Sequence, residues 1–175
     1  MTQPSQSSEH PSTYIVQDRE NQEELARLTL QDRLLTESMG GVLAELPEPA
    51  ALQRVLDIGC ATGGWALETA QTYPTISLVI GIDISQRMIT YARQQAQAAA
   101  LAERVEFHVM DALRMLEFPS HFFDLVNLRL GGAGCAPGTG RSCSAKSIAS
   151  HVLGGSCASL SRSSCIALAA RQGRA

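Results

Sequence analysis

At 175 residues the chain is long enough for one domain with its own core, and its 45 % hydrophobic content is that of a globular protein. A net charge of -3, with no basic stretch interleaved with aromatic residues, gives no footing for nucleic acid, and no apolar run approaches the roughly 20 residues of a membrane span. The start, MTQPSQSSEHPST, is polar and has no secretory apolar core, so the expectation is a cytoplasmic protein with no membrane partner.

Residues 1–20 read as a polar tail and 21–48 as a helical segment. From Gln22 to Met39, Leu25, Leu28, Leu35 and Met39 recur at helical spacing and predict an amphipathic helix that packs on something. Gly40-Gly41 ends it, and the two prolines of ELPEPA bar its continuation. Four apolar runs follow, Val55 to Ile58, Ile76 to Ile82, Val105 to Val109 and Phe122 to Leu128, and each is a predicted strand. GWALETAQTY lies between the first two and SQRMITYARQQAQAAALAE between the next two, both rich in helix formers. Strands alternating with helices pair in parallel, and strands covered on both faces are apolar throughout. The expected fold is therefore α/β, a doubly wound, mostly parallel Rossmann-like sheet over 50–130. DALRMLEFPSH leaves room for a short helix before the fourth strand.

The first strand runs into a glycine turn, VLDIGCATGGWALE. In such sheets that turn opens a helix and holds a ligand, because backbone N–H groups and the helix dipole converge there. Dinucleotide enzymes show G-x-G-x-x-G at this place. Here Asp57 precedes the glycines, and a carboxylate would repel a pyrophosphate but suits a ligand that carries an ammonium group. An NAD(P)-binding oxidoreductase is thus the alternative, and a non-catalytic cofactor-binding fragment is another. VIGIDIS places Asp83 at the end of the second strand, where an acid reaches ribose hydroxyls, and VEFHVMDAL places Asp111 just past the third.

The set Asp57-Ile-Gly59-Cys-Ala61-Thr-Gly63, Asp83 and Asp111 resembles the class I S-adenosylmethionine-dependent methyltransferases, with Ala61 where the family has its middle glycine. The resemblance implies S-adenosyl-L-methionine as cofactor. It also implies a hydrogen bond from the adenine amine to Asp111, packing of Ile84 and Met88 on the adenine, and a pocket wall at Ala112. Gly59 and Gly63 would approach the methionine part, and Asn127 and Arg129 would stand near the exit of the fourth strand. A lid formed by the preceding helix would bring Tyr14, Arg27 and Gln31 into contact. The acceptor is expected to be a small molecule. No catalytic base is identifiable, and the oligomeric state is open.

Each acid also has a structural reading. Asp57 could hold the turn, Asp83 could cap the helix starting near Ser85, and Asp111 could cap the short helix after it. Asp124 reads as a turn residue, Trp65 as a packing residue, and His108 and His121 as surface or loop residues. The cysteines form no C-x-x-C pair, so zinc and dithiol chemistry have little support.

After Leu130 the composition breaks: the last 45 residues hold eight of the 14 glycines and four of the five cysteines, with no acid and no aromatic ring. No strand or helix period survives there, so the strands that complete such a sheet are expected to be missing and 131–175 to be a low-complexity, disordered or out-of-frame tail. New codons built from each third base and the next two let Ile148 to Ser159 encode His-Arg-Val-Thr-Arg-Pro-Gly-Gly-Ile-Val-Arg-Leu. That string contains the Arg-Pro-Gly-Gly turn which precedes the fifth strand in the resembled family.

Overall fold

The computed structural model describes residues 22–112, 118–119 and 121–129, together with the backbone of 164–168. Its sheet has the order β3-β2-β1-β4-β5, formed by β1 Arg54–Ile58, β2 Leu78–Asp83, β3 Val105–Val109, β4 Leu125–Arg129 and β5 Ser164–Leu168. The first four strands are parallel. β1 lies at the centre, with Val55 beside Val79 on one flank and beside Leu125 on the other. The doubly wound α/β reading therefore stands, and the strand order reverses at β1.

Helices α2, Gly64–Thr72, and α3, Gln86–Ala98, are the crossovers from β1 to β2 and from β2 to β3. Strand side chains alternate between faces. Val55, Val79, Val105 and Leu125 meet Trp65, Ala66 and Ala70 of α2 and Ile89, Ala92 and Ala96 of α3 on one side. Leu56, Ile58, Ile80, Ile82 and Val126 point the other way, packed with Phe123 and the partly buried Met110, Ala112, Phe118 and Phe122. Cover on both faces is why β1 and β2 are largely apolar, whereas β3, at the sheet edge, alternates as VEFHV with Glu106 exposed.

Two strands begin later than their apolar runs. Arg104 takes the Ile76 carbonyl at 3.1 Å, and β2 enters the sheet only at Leu78. Phe122 and Phe123 belong instead to an aromatic cluster with Phe118, with ring centroids 4.9 to 6.5 Å apart. The Asp124 carboxylate then accepts the Gln53 and Arg54 N–H groups at 2.8 Å, which fixes the turn into β4, as its sequence position indicated.

The first helix, α1, spans Gln22–Ser38. Its apolar face is less covered than the spacing implied, with Leu25, Leu28 and Leu35 half-buried and Leu30 and Leu34 exposed. The buried positions are polar, Glu24 and Thr36. Val42, Leu43 and Leu46 of the following segment join the core instead. Among the described residues no helix is long and apolar enough to cross a membrane.

The expectation that no strand survives after residue 130 is corrected at one place. The backbone of β5 pairs antiparallel with β4, Leu168 opposite Leu125 and Ser164 opposite Arg129. An open edge offers its N–H and C=O groups to any extended segment, whatever that segment's composition. The short helix expected before β4, the rest of the tail and Tyr14 lie outside the described residues.

Candidate functional site

The glycine turn is stitched onto the end of β2 by Gly59 and Cys60, whose N–H groups donate to the Ile82 carbonyl at 2.8 and 3.0 Å. Gly59, Ala61 and Gly63 have φ of +69°, +47° and +79°, all left-handed. For Ala61 that conformation costs about 1 kcal/mol or more, and a hydrogen bond from its N–H to Asp83 Oδ2 at 3.1 Å helps hold it. A Cβ added at Gly59 would meet nothing within 4 Å, so a ligand can lie against the bare backbone there. Gly63 differs: a Cβ would come within 2.6 Å of the Phe107 ring and 2.9 Å of Ala92. Internal packing therefore demands a glycine at that position.

Parallel strands end at one edge, so Asp57, Asp83 and Asp111 share it. Asp57 is buried, and its Oδ1 accepts Asn127 Nδ2 at 2.7 Å. Burial raises its pKa to about 7 against the lowering effects of Arg129 and of the Asn127 hydrogen bond, and Asp32 and Asp83 raise it further. Asp83 accepts Ser85 N–H on Oδ1 at 2.8 Å and Ala61 N–H on Oδ2, and so joins the glycine turn to the start of α3. Ser85 Oγ caps that helix by accepting Met88 N–H. Asp111 is half-buried and follows Met110, whose N–H donates to the Asp83 carbonyl at 3.0 Å.

Ile84 stands 42 % exposed beside this edge, and Ala112 is half-buried. Met88 and Asn127, two of the expected cofactor residues, are both buried. Met88 is 1 % exposed in the core, on the α3 face shared with Ile89, Ala92 and Ala96. Asn127 is fully buried beneath the turn and holds Asp57, with its own Oδ1 lacking a partner among the described residues. Trp65 packs in the core, and the exposed faces carry His121 and the pair His108–Glu106. Arg27 is engaged by Glu24 and Gln31 on its own helix. Burial, with Asp57 and Asp83 nearby, pushes the Cys60 thiol well up, so it stays protonated. Among the described residues no group of three His, Cys, Asp or Glu side chains could hold a metal ion.

The motif did not reveal Asp32 and Thr36 of α1. Arg129 Nη2 pairs with Asp32 and Nη1 donates to Thr36 Oγ1 at 2.7 Å, while the guanidinium lies 5.4 Å from the Trp65 ring centroid. Asp32 also accepts the Trp65 backbone N–H at the start of α2. α1 therefore reaches across the turn. An open cavity of about 340 Å³ lies between Leu25 of α1 and Arg87, Thr90, Tyr91 and Gln94 of α3, and one of about 230 Å³ lies along the outer edge of β3. Neither is lined by the three strand-end carboxylates.

Residues 55–135 match the family described as methyltransferase domain. Aklanonic acid methyltransferase DauC of Streptomyces is 40 % identical over 88 residues, covering 50 % of this chain and 39 % of that protein. A demethylmenaquinone methyltransferase of Porphyromonas gingivalis is 34 % identical over 48 % of this chain and 34 % of its own length. Ajmaline N-methyltransferase of Rauvolfia serpentina is 38 % identical over 54 % of this chain and 31 % of its own. The chain thus spans about a third of the length of these relatives. A solved structure of a proposed S-adenosyl-L-methionine-dependent methyltransferase from Methanococcus maripaludis superposes with a TM-score of 0.53 at 17 % identity, over 66 % of this chain and 53 % of that one, a likeness of fold.

Proposed function

Because residues 55–135 belong to the methyltransferase domain family, we propose that this chain binds S-adenosyl-L-methionine at the carboxyl edge of β1 to β3 and serves methyl transfer to a small-molecule acceptor. One observation carries the reading: Asp57, Asp83 and Asp111 follow one another along the ends of three adjacent parallel strands, around a turn whose Gly59 backbone is open. The residues present fit the cofactor. Asp83, at the end of β2, would face the ribose hydroxyls, Ile84 offers an exposed apolar surface to the adenine, and Asp111 stands where the adenine amine would reach. Asp57 lends negative potential to the ammonium and sulfonium end.

When bound, S-adenosyl-L-methionine supplies an electrophilic methyl group on sulfur. The chain's own part is orientation: the stitched turn and the fixed carboxylates hold the ligand in one pose, so that an acceptor meets the methyl in line. The acceptor is proposed to be a small molecule on the strength of the relatives, which are named for aklanonic acid, demethylmenaquinone and ajmaline. A second reading, cofactor binding without transfer, is favoured by the antiparallel β5 at the β4 edge, where the resembled fold continues with a parallel strand.

Titration calorimetry of the full chain with S-adenosylhomocysteine and with NAD tests the proposal. Binding of the first and not the second is expected. NAD alone binding, or neither, defeats it, and binding without turnover on a panel of phenolic, quinol and amine acceptors selects the second reading.

A further inference from the structure

Asp32 is the carboxylate at this edge that comes from outside the sheet. α1 carries it to the first turn of α2, where it accepts the Trp65 N–H and pairs with Arg129. It lies so close to Gly64 that a Cβ there would collide with its Oδ2. A helix N-terminus of nine residues joined to a guanidinium fork is a recognition set for a carboxylate in general. Nothing in it requires that the carboxylate belong to the protein.

Both partners are imperfectly served by the contact. The Arg129 side chain is only 8 % exposed, and its Nε has no acceptor among the described residues. Burial raises the pKa of Asp32 in spite of Arg129, so desolvation outweighs the attraction. The helix that delivers Asp32 leaves Leu30 57 % and Leu34 55 % exposed, so apolar packing does little to hold that stretch down.

Resting on the cofactor reading above, we propose that Asp32 is an internal stand-in for the cofactor's α-carboxylate. It fills the subsite made by Arg129 and the Trp65 N–H, and the amino-acid end of the ligand takes its place as α1 shifts outward. One carboxylate replaces another, so no bond is made and the charge within the subsite is conserved. Only ligands with a carboxylate compete with Asp32. The subsite therefore sets a preference between adenosyl thioethers with and without an amino-acid tail.

The test compares S-adenosylhomocysteine with 5′-methylthioadenosine, which lacks the amino-acid group, by calorimetry on the full chain. Asp32→Asn keeps an oxygen for the Trp65 N–H and removes the competing charge. It is expected to tighten S-adenosylhomocysteine about fivefold or more, since the apparent affinity no longer carries the unopened fraction, and to leave 5′-methylthioadenosine unchanged. Trp65 is the single tryptophan, so in the wild-type chain its emission should shift with S-adenosylhomocysteine and not with 5′-methylthioadenosine. Unchanged or weaker S-adenosylhomocysteine binding in the variant, equal tightening of both ligands, or the same emission change with both overturns the proposal. Should neither ligand bind the wild-type chain, the cofactor reading itself has failed.

Discussion

Asp57 is held in a setting that disfavours its charge. It lies 4 % exposed under the turn, hydrogen-bonded to Asn127, with Arg129 as the cation that lowers its pKa and Asp32 and Asp83 as like charges. Its pKa of about 7 in the folded chain stands above the ordinary 3.8, so the folded state keeps its proton longer than the unfolded one. The stability contributed by neutral Asp57 is complete below the ordinary carboxylate range and is lost as pH rises through about 7. Asp57→Asn preserves the acceptor for Asn127, and its melting temperature should fall less than that of the wild-type chain between about pH 5 and about pH 8. The two glycines of the turn should separate in the same assay. Gly63→Ala places a methyl against Phe107 and Ala92 and should cost about 2 to 4 kcal/mol, from strain plus overpacking. Gly59→Ala meets open space and should cost about 1 to 2 kcal/mol, while in calorimetry it should show the larger loss in S-adenosylhomocysteine affinity.

At the scale of elements, short polar ties fix how helices meet strands. Arg104, just before β3, donates to the Ala70 carbonyl at 2.7 Å, to Ile76 at 3.1 Å and to Pro74 at 3.4 Å. It thereby joins the last turn of α2 to the approach of β2. Arg104→Met should lower the stability read by urea unfolding by about 1.5 to 3 kcal/mol, the range for hydrogen bonds made by a charged group. Helix α3 behaves as its spacing indicates: Met88, Ile89, Ala92 and Ala96 form one buried face. That same spacing buries Met88, because it lies on the core stripe of a crossover helix. α1 shows the opposite case. Its leucines are periodic, yet Thr36 and Asp32 make its contacts with Arg129, from positions that any pattern of hydrophobicity assigns to solvent.

For the whole molecule, the outer edge of β4 decides what the chain can do. Four parallel strands suffice to assemble the proposed cofactor edge, since Asp57, Asp83 and Asp111 all precede β4. Past β4 the described sheet is completed by one antiparallel strand drawn from the acid-free tail. On the frame-shift reading, the encoding nucleotides after residue 130, advanced by two bases, should run open and specify acidic and aromatic residues followed by Arg-Pro-Gly-Gly. Sequencing of the gene checks this, and a stop codon in that frame refutes it. A chain carrying the shifted-frame segment in place of 131–175 should melt higher and transfer methyl groups faster than the present chain.

Local pattern alone determined much of this protein. Four apolar runs located β1 to β4 to within three residues, the intervening helix formers located α2 and α3, and the acids before and after the glycine turn marked the edge proposed to hold the ligand. These features were legible because hydrophobic period, turn chemistry and strand-end position are properties of a few neighbouring residues. Only the tertiary structure decided that β1 is central, that Gly63 serves Phe107, that Asn127 supports Asp57 and that Asp32 meets Arg129. The last pair is 97 residues apart along the chain. Contacts of that kind depend on how whole elements dock, and no window along the chain contains both partners.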